Sequence, residues 1–298
     1  MQQLTAVASP SWRTTLAAYI NLAKPHVTVL LLGTTLAAMV VAAGGLPSAG
    51  LVVATLVGGA MAAGSANAIN CYWDRDIDQV MARTRTRALP ARRVPEAHAL
   101  VFGLALGVGS VAVMARFVNV LSAGLALAAI LFYVVVYTMW LKRTTPQNIV
   151  IGGAAGAVPV LIGWAAVTGT IGLAAVWMFM VIFLWTPPHF WALSLLLKKD
   201  YERAGVPMLP VVAGEPETRR QIVLYTLLLI AATLVLFATQ ALGYFYLASA
   251  VLLGLGLLAL ALLLARKPTL KSARTLFWCS NYYLALLFAA MVLDRVLR

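Results

Sequence analysis

Apolar runs long enough to cross a bilayer recur along almost the whole chain, each closed by a short polar interval. A helix rises 1.5 Å per residue, so about 20 apolar residues cover the hydrocarbon core. Nine runs are expected, starting near His26, Leu51, Ala97, Val118, Asn148, Ile171, Gln221, Gly243 and Phe277. The pattern predicts an all-α polytopic membrane protein with one domain over residues 1–298, a polar N-terminal segment over 1–24 and two charged loops over 70–95 and 198–220. The second run is rich in small residues from Gly58 to Ala66, which lets helices approach closely. The fifth carries Gly152, Gly153 and Gly156 within five residues, suited to tight packing or to bending. The sixth contains Pro187 and Pro188. Two prolines inside a span break the backbone ladder, which is tolerated at depth only where the helix is buried in protein or lines a cavity.

Composition agrees with the pattern: 62% of residues are hydrophobic, 10% are charged and the mean hydropathy is +0.92, which excludes a soluble globular domain. Of the 22 lysines and arginines, all but Arg116, Arg295 and Arg298 fall in the N-terminal segment and in alternate loops. Basic residues stay on the cytoplasmic side, so the N-terminus is expected inside and the C-terminus outside. The net charge of +13 then lies almost wholly at the cytoplasmic face, as an orientation signal and a source of affinity for anionic lipid. It offers no support for nucleic-acid binding. The first span follows a polar start with no convincing cleavage pattern, so no processed signal peptide is expected. Cys71 and Cys279 are far apart and imply no disulfide framework.

Against this background the charges after the second run stand out. Asp74, Asp76 and Asp78 are three of only nine acidic residues. If the preceding helix continues, Asn70, Asp74 and Asp78 share one face at spacing i, i+4, i+8. An oxygen-rich stripe reached by water suits a hard cation such as Mg2+, which takes one or two carboxylates and keeps positions for water and phosphate. Asp76 points elsewhere. Arg83, Arg85 and Arg87 follow, and their planar forks match phosphate oxygens. Together they suit a metal and a diphosphate; the alternative is a solvated loop in which the charges merely pair and stop the helix.

A weaker echo follows the sixth run, where Lys198, Lys199, Asp200, Tyr201, Glu202 and Arg203 lie at the same face. The recurrence, four spans on, suggests two similar halves around a central cavity, with two acidic clusters able to hold two metals on one diphosphate. His189, beside the prolines and between Trp185 and Trp191, is an intramembrane ionisable residue and hence a functional candidate. The alternative is a histidine bonded to carbonyls that the prolines free. Asn148 either caps the fifth helix or faces the site. His26, at the edge of the first span, suits an interfacial role.

Asn70, Asp74, Asp78, Arg83, Thr84 and Arg87 match in order the NxxxDxxxD signature and basic RT segment of the UbiA superfamily of intramembrane prenyltransferases, which the chain resembles over nearly its whole length. The strings Thr145–Ala157, Trp185–Trp191 and Lys199–Pro210 resemble its heme-farnesylating branch. The resemblance implies a nine-span UbiA-like fold in a bacterial inner membrane, with the active site at the cytoplasmic face. It implies farnesyl diphosphate as donor and a vinyl group of protoheme IX (heme b), a substrate rather than a cofactor, as acceptor, giving heme O in heme A/O biosynthesis. Asp74, Asp78, Asp200 and Arg83 would be catalytic; Asn70, Asp74, Asp78 and Asp200 would hold Mg2+, with two ions. Arg83, Thr84, Arg87, Lys199 and Arg203 would bind diphosphate. His189, Asn148, Trp185 and Tyr201 would meet the acceptor, with His189 as axial ligand or porphyrin-orienting group. Heme A synthase or terminal-oxidase assembly proteins are family-level partners. Two departures matter: Ala204 stands where the superfamily's second DxxxD has its last Asp, and His26 stands where related sequences often carry arginine, so no role passes to it. The rivals are a member that prenylates an aromatic quinone precursor, and a transporter with broken spans, against which the carboxylates gather at one face.

Overall fold

The computed structural model describes residues 11–298. Ser11 accepts a hydrogen bond from the Thr14 N–H and caps α1 (Trp12–Leu22), which lies against the main bundle. Then come α2 (Pro25–Ala43), with proline in its first turn where no donor is needed, α3 (Ala49–Trp73) and the short α4 (Arg75–Val80). After α5 (Glu96–Phe117), the fourth span begins as α6 (Val120–Leu131), widens into a π-helical segment over Phe132–Leu141 and closes in the turn α7 (Lys142–Thr144). The remaining elements are α8 (Asn148–Thr168), α9 (Leu173–Leu196), the short α10 (Lys198–Arg203) and α11 (Leu209–Val212), and the long α12 (Gly214–Ala238), α13 (Tyr244–Arg266) and α14 (Leu270–Val296). Among the described residues nine helices are long and apolar enough to cross a membrane, as expected.

The boundaries differ at two spans. The seventh begins at Gly214 and the ninth at Leu270, seven residues before the apolar runs, because α12 and α14 project one polar turn or more beyond them. Thr269 and Ser272 exchange hydrogen bonds as a capping box that starts α14 among charged residues. The two segments expected as charged loops are likewise largely wound into short helices and turns.

The spans pack mostly as sequential neighbours, α3 on α5, α5 on α6, then α9 on α12 and α12 on α13, so the order of neighbours recurs four spans later. Across the middle, α2 packs on α8, and α14 closes the bundle against α2 and α9. The main core runs through α2, α8, α9 and the last three spans, around Met178, Trp191, Leu229 and Tyr246. Pro187 and Pro188 do not end the sixth span: α9 runs through them as one helix, and both are buried in protein, the setting in which missing donors are tolerated. Gly152 permits a close approach of the helices, since a Cβ there would run into the Tyr137 ring on the π-helical segment.

Candidate active site

The helix bearing the stripe bends at Asp74 but does not lose its register. The Asp74 N–H donates to the Asn70 carbonyl at 2.9 Å, and the Asp78 N–H to the Asp74 carbonyl at 2.8 Å. The i, i+4 spacing therefore survives the junction of α3 and α4, and Asn70 Nδ2 donates to Asp74 Oδ2 at 2.6 Å. Asn70, Asp74 and Asp78 are all buried, a costly place for carboxylates unless each is paired.

Each of the three takes a cation from a different part of the chain. Lys24 Nζ donates to Asn70 Oδ1 at 2.8 Å. Lys142 Nζ pairs with Asp74. One nitrogen of Arg87 reaches both oxygens of Asp78, at 2.9 and 2.8 Å. Burial pushes the Lys24 ammonium down. For Arg87 burial works the same way, but the Asp78 carboxylate outweighs it and the guanidinium is held above its ordinary value. Lys24 occupies the left-handed region at φ 50°, a strained conformation for a residue with a Cβ, immediately before the first span.

The π-helical segment explains how Lys142 arrives. Its wider turn closes i to i+5 hydrogen bonds, and Thr138 Oγ1 donates back to the Tyr133 carbonyl at 2.8 Å. Tyr133, Thr138 and Lys142 thereby come to one side, where Asn70 Nδ2 also donates to Thr138 Oγ1 at 3.2 Å.

The second charged segment is joined to the first by a small apolar cluster: Ile77 and Met81 meet Ile149, Tyr201, Val206 and Met208, with Tyr137 and Phe190 packed against them. Tyr201 is buried, and burial pushes its hydroxyl up while the Arg83 guanidinium opposes the shift. Arg83 itself is exposed. Asp200 is half-buried and Lys199 exposed. Among the described residues no group of three or more His, Cys, Asp or Glu side chains converges as a ready-made cation site, so Asp200 is not brought together with Asp74 and Asp78 as one cluster. The donor set nevertheless fits a hard cation. All its ligating atoms are oxygen, and Asp74 Oδ1 is buried without a hydrogen-bond partner.

Several expected residues have specific local tasks. Thr84 is buried and its hydroxyl donates to the Asp78 carbonyl at 3.1 Å, pinning the loop. Asn148 is the first residue of α8 and not its cap: its Nδ2 donates backwards to the Thr145 carbonyl at 2.6 Å, and its Oδ1 is buried and unpaired. His189 binds none of the carbonyls that the prolines free; its Nδ1 lies 2.7 Å from Ser280 Oγ. The ring stacks between Trp185 and Phe277, at centroid distances of 4.3 and 4.7 Å, and Trp185 Nε1 donates to the Ser280 carbonyl at 2.7 Å. Asp76 points away from the stripe as expected. It meets both terminal nitrogens of Arg143 at 2.8 Å, and the Arg143 fork holds its carboxyl at about 2.

The family model for UbiA prenyltransferases matches residues 31–289. The chain belongs to the UbiA prenyltransferase family. A protoheme IX farnesyltransferase from Gloeobacter violaceus is 54% identical over 93% of this chain and 92% of its own. Among solved structures, one from work on digeranylgeranylglyceryl phosphate synthase superposes with a TM-score of 0.79 at 16% identity, covering 95% of this chain and 99% of that one. A UbiA homolog from Archaeoglobus fulgidus, bound to GPP and Mg2+, superposes at 0.66 and 17% identity, covering 92% and 99%. As a UbiA prenyltransferase the protein is an all-helical, multi-pass membrane enzyme.

Sequence reasoning overlooked three residues of this UbiA site: Lys24, Lys142 and Thr138. The two lysines were absorbed into the orientation signal. A lysine directly before the proline that opens a span was a usable sign for Lys24; nothing local marks the wide turn that aims Thr138 and Lys142.

Proposed function

We infer that the protein transfers a farnesyl group from farnesyl diphosphate to a vinyl group of protoheme IX, giving heme O and diphosphate. The observation that carries this reading is the 54% identity, over 93% of the chain, to a protein named protoheme IX farnesyltransferase. The geometry supports the donor half independently, through a buried oxygen stripe ringed by lysines and arginines at the end of the second span.

Asn70, Asp74 and Asp78 would hold Mg2+, with a second ion on Asp200 that takes its other ligands from diphosphate and water. The cation would supply charge neutralisation as the diphosphate leaves. Arg83 and Arg87 bind the diphosphate oxygens as forks, with Lys24, Lys142 and Lys199 adding point charges. Thr84 acts through the loop that carries them. The C–O bond to the farnesyl carbon breaks, and the allylic cation is met by aromatic faces, of which Tyr137, Tyr201 and Phe190 lie between the two charged segments. Apolar walls keep bulk water from the cation until the vinyl group has added to it; a single water then adds to the carbocation left on the former vinyl carbon and gives up a proton to the departed diphosphate, completing the hydroxyethylfarnesyl arm. His189, fixed through Nδ1 by Ser280, keeps Nε2 for the porphyrin iron or its axial water, and Trp185 and Asn148 border that side of the site. The charged ends of the spans face the cytoplasm of a bacterial inner membrane in this reading, with the N-terminus inside.

The test is to incubate purified protein with protoheme, farnesyl diphosphate and Mg2+, with and without a chelator, and to follow heme mass. A chelator-sensitive gain of one hydroxyethylfarnesyl unit is expected. Prenylation of an aromatic acid instead of heme would move the function to quinone precursors.

A further inference from the structure

On the side of α4 turned away from the metal stripe, a cleft of about 290 Å3 opens between the two charged segments. At about 100° per residue, positions 76 and 80 face away from 74 and 78, and position 77 lies at the flank between them. The cleft is lined by Asp76, Ile77 and Val80, by Arg143 at the end of the fourth span, and by the turn from Arg203 to Val206. Its volume is at the lower end of small-molecule sites, about 300 to 1,000 Å3. It suits one edge of a ligand and not a whole macrocycle.

Two guanidinium groups and one carboxylate leave the cleft with a positive balance. The terminal nitrogens of Arg143 close on Asp76, and one of them also donates to the Trp73 carbonyl and lies 3.7 Å from Asp74 Oδ1, while the buried Nε–H of Arg143 donates to nothing. Arg203 is exposed and enters no ion pair among the described residues. Ala204, where the general superfamily pattern has a carboxylate, also borders the cleft. A carboxylate there would cancel the surplus charge; alanine preserves it. The apolar floor of Ile77, Val80 and Val206 completes a surface for a ligand whose edge is acidic and whose body is flat and apolar.

We propose that this cleft binds the carboxylate edge of the acceptor, the protoheme propionates resting on Arg203 and Arg143. The proposal rests on the heme reading of the function and deepens it. It takes Arg203, a lining residue of this cleft, out of the diphosphate clamp and assigns it to the acceptor. Ala204 becomes a residue that keeps the cleft's positive balance for the propionates.

The experiment compares binding of protoheme with that of its dimethyl ester, by absorbance titration of the detergent-solubilised full chain, in wild type, Arg203→Gln and Ala204→Asp. A charge-assisted contact to one propionate should make the diacid bind about tenfold more tightly in wild type, about 1.4 kcal/mol. Arg203→Gln and Ala204→Asp should bring that ratio to within about twofold, and Arg203→Lys should recover part of it. Binding of farnesyl thiolodiphosphate should be unaltered in Arg203→Gln. Equal binding of diacid and diester by wild type overturns the proposal without any variant having to fold, and so does an Arg203→Gln protein that loses the thiolodiphosphate. Equal binding together with displacement of heme by anionic lipid nanodiscs would assign the cleft to a headgroup phosphate, and overturns it too. Because the ratio is read by binding alone, failure of heme to gain a farnesyl group in the mass assay is a separate result, against the function and not against the cleft.

Discussion

The charged segments after the second and the sixth span occupy corresponding places in the neighbour order, yet they are built differently. In the first, Asp74 and Asp78 are buried and each is matched by a cation from elsewhere in the chain. In the second, Asp200 is half-buried and unpaired among the described residues, and the next carboxylate position is alanine. Buried, pre-aimed charge is what stabilises a leaving diphosphate, since its reorganisation cost is met on folding. The first segment is organised for chemistry. The second has the same outline with one carboxylate fewer, a difference that the proposed cleft would use for recognition.

The widest separation between the two should come from Asp74→Asn against Asp200→Asn. Asp74→Asn keeps the volume and removes a buried charge, and kcat/KM for farnesyl transfer should fall by about 10²- to 10³-fold. A loss below tenfold would put the metal chemistry elsewhere. Asp200→Asn should cost about tenfold, the worth of one charge-assisted contact, with added Mg2+ recovering some of it. Equal losses, measured under the same heme-mass assay, would erase the contrast between the segments.

The smallest effect concerns Asp76, on the far side of the first segment. Its carboxyl is held at about 2 against an ordinary 3.8, chiefly by the Arg143 fork. A folded-state value below the unfolded one contributes stability that is full above about pH 4 and is lost as pH falls towards 2. Asp76 is largely exposed, so solvent screening limits the pair to under about 1 kcal/mol. Melting curves of wild type and Asp76→Asn should therefore differ slightly at pH 6, narrow through pH 3 and converge below about pH 2. A gap that persists undiminished below about pH 2 would mean that Asp76 is placed by something other than its charge.

The nine spans were legible because the period and length of apolar runs are one-dimensional properties. So was the Asn70–Asp74–Asp78 stripe, whose spacing encodes a helical face even across the bend at Asp74. Span ends were less legible: hydropathy reports where lipid stops and not where a helix does, and the polar turns opening α12 and α14 carry Glu215, Glu217, Lys271 and Arg274. Pro187 and Pro188 suggested an interruption that packing prevents by burying both rings inside one helix. Arg87 pairs with Asp78 from within the same segment, whereas the pairing of Asn70 with Lys24 and of Asp74 with Lys142 depends on tertiary placement. Lys142 shows this most clearly, lying 68 positions from Asp74 in sequence.

The widened turn over Phe132–Leu141 bears on how this chain can vary in length. A deletion of one residue there would let the span relax to an ordinary α-helix of almost the same hydrophobic length, and a membrane would accept it as readily as before. Everything beyond the deletion would nonetheless turn about the helix axis, because the wide turn and an ordinary α-helix accumulate different angles over the stretch. Lys142 would leave Asp74, Arg143 would leave Asp76, and the entry into α8 would turn with them. Exposed positions such as Val135 and Trp140 are open to drift, whereas the residue count of the stretch is not: here an insertion or deletion is a change of active site.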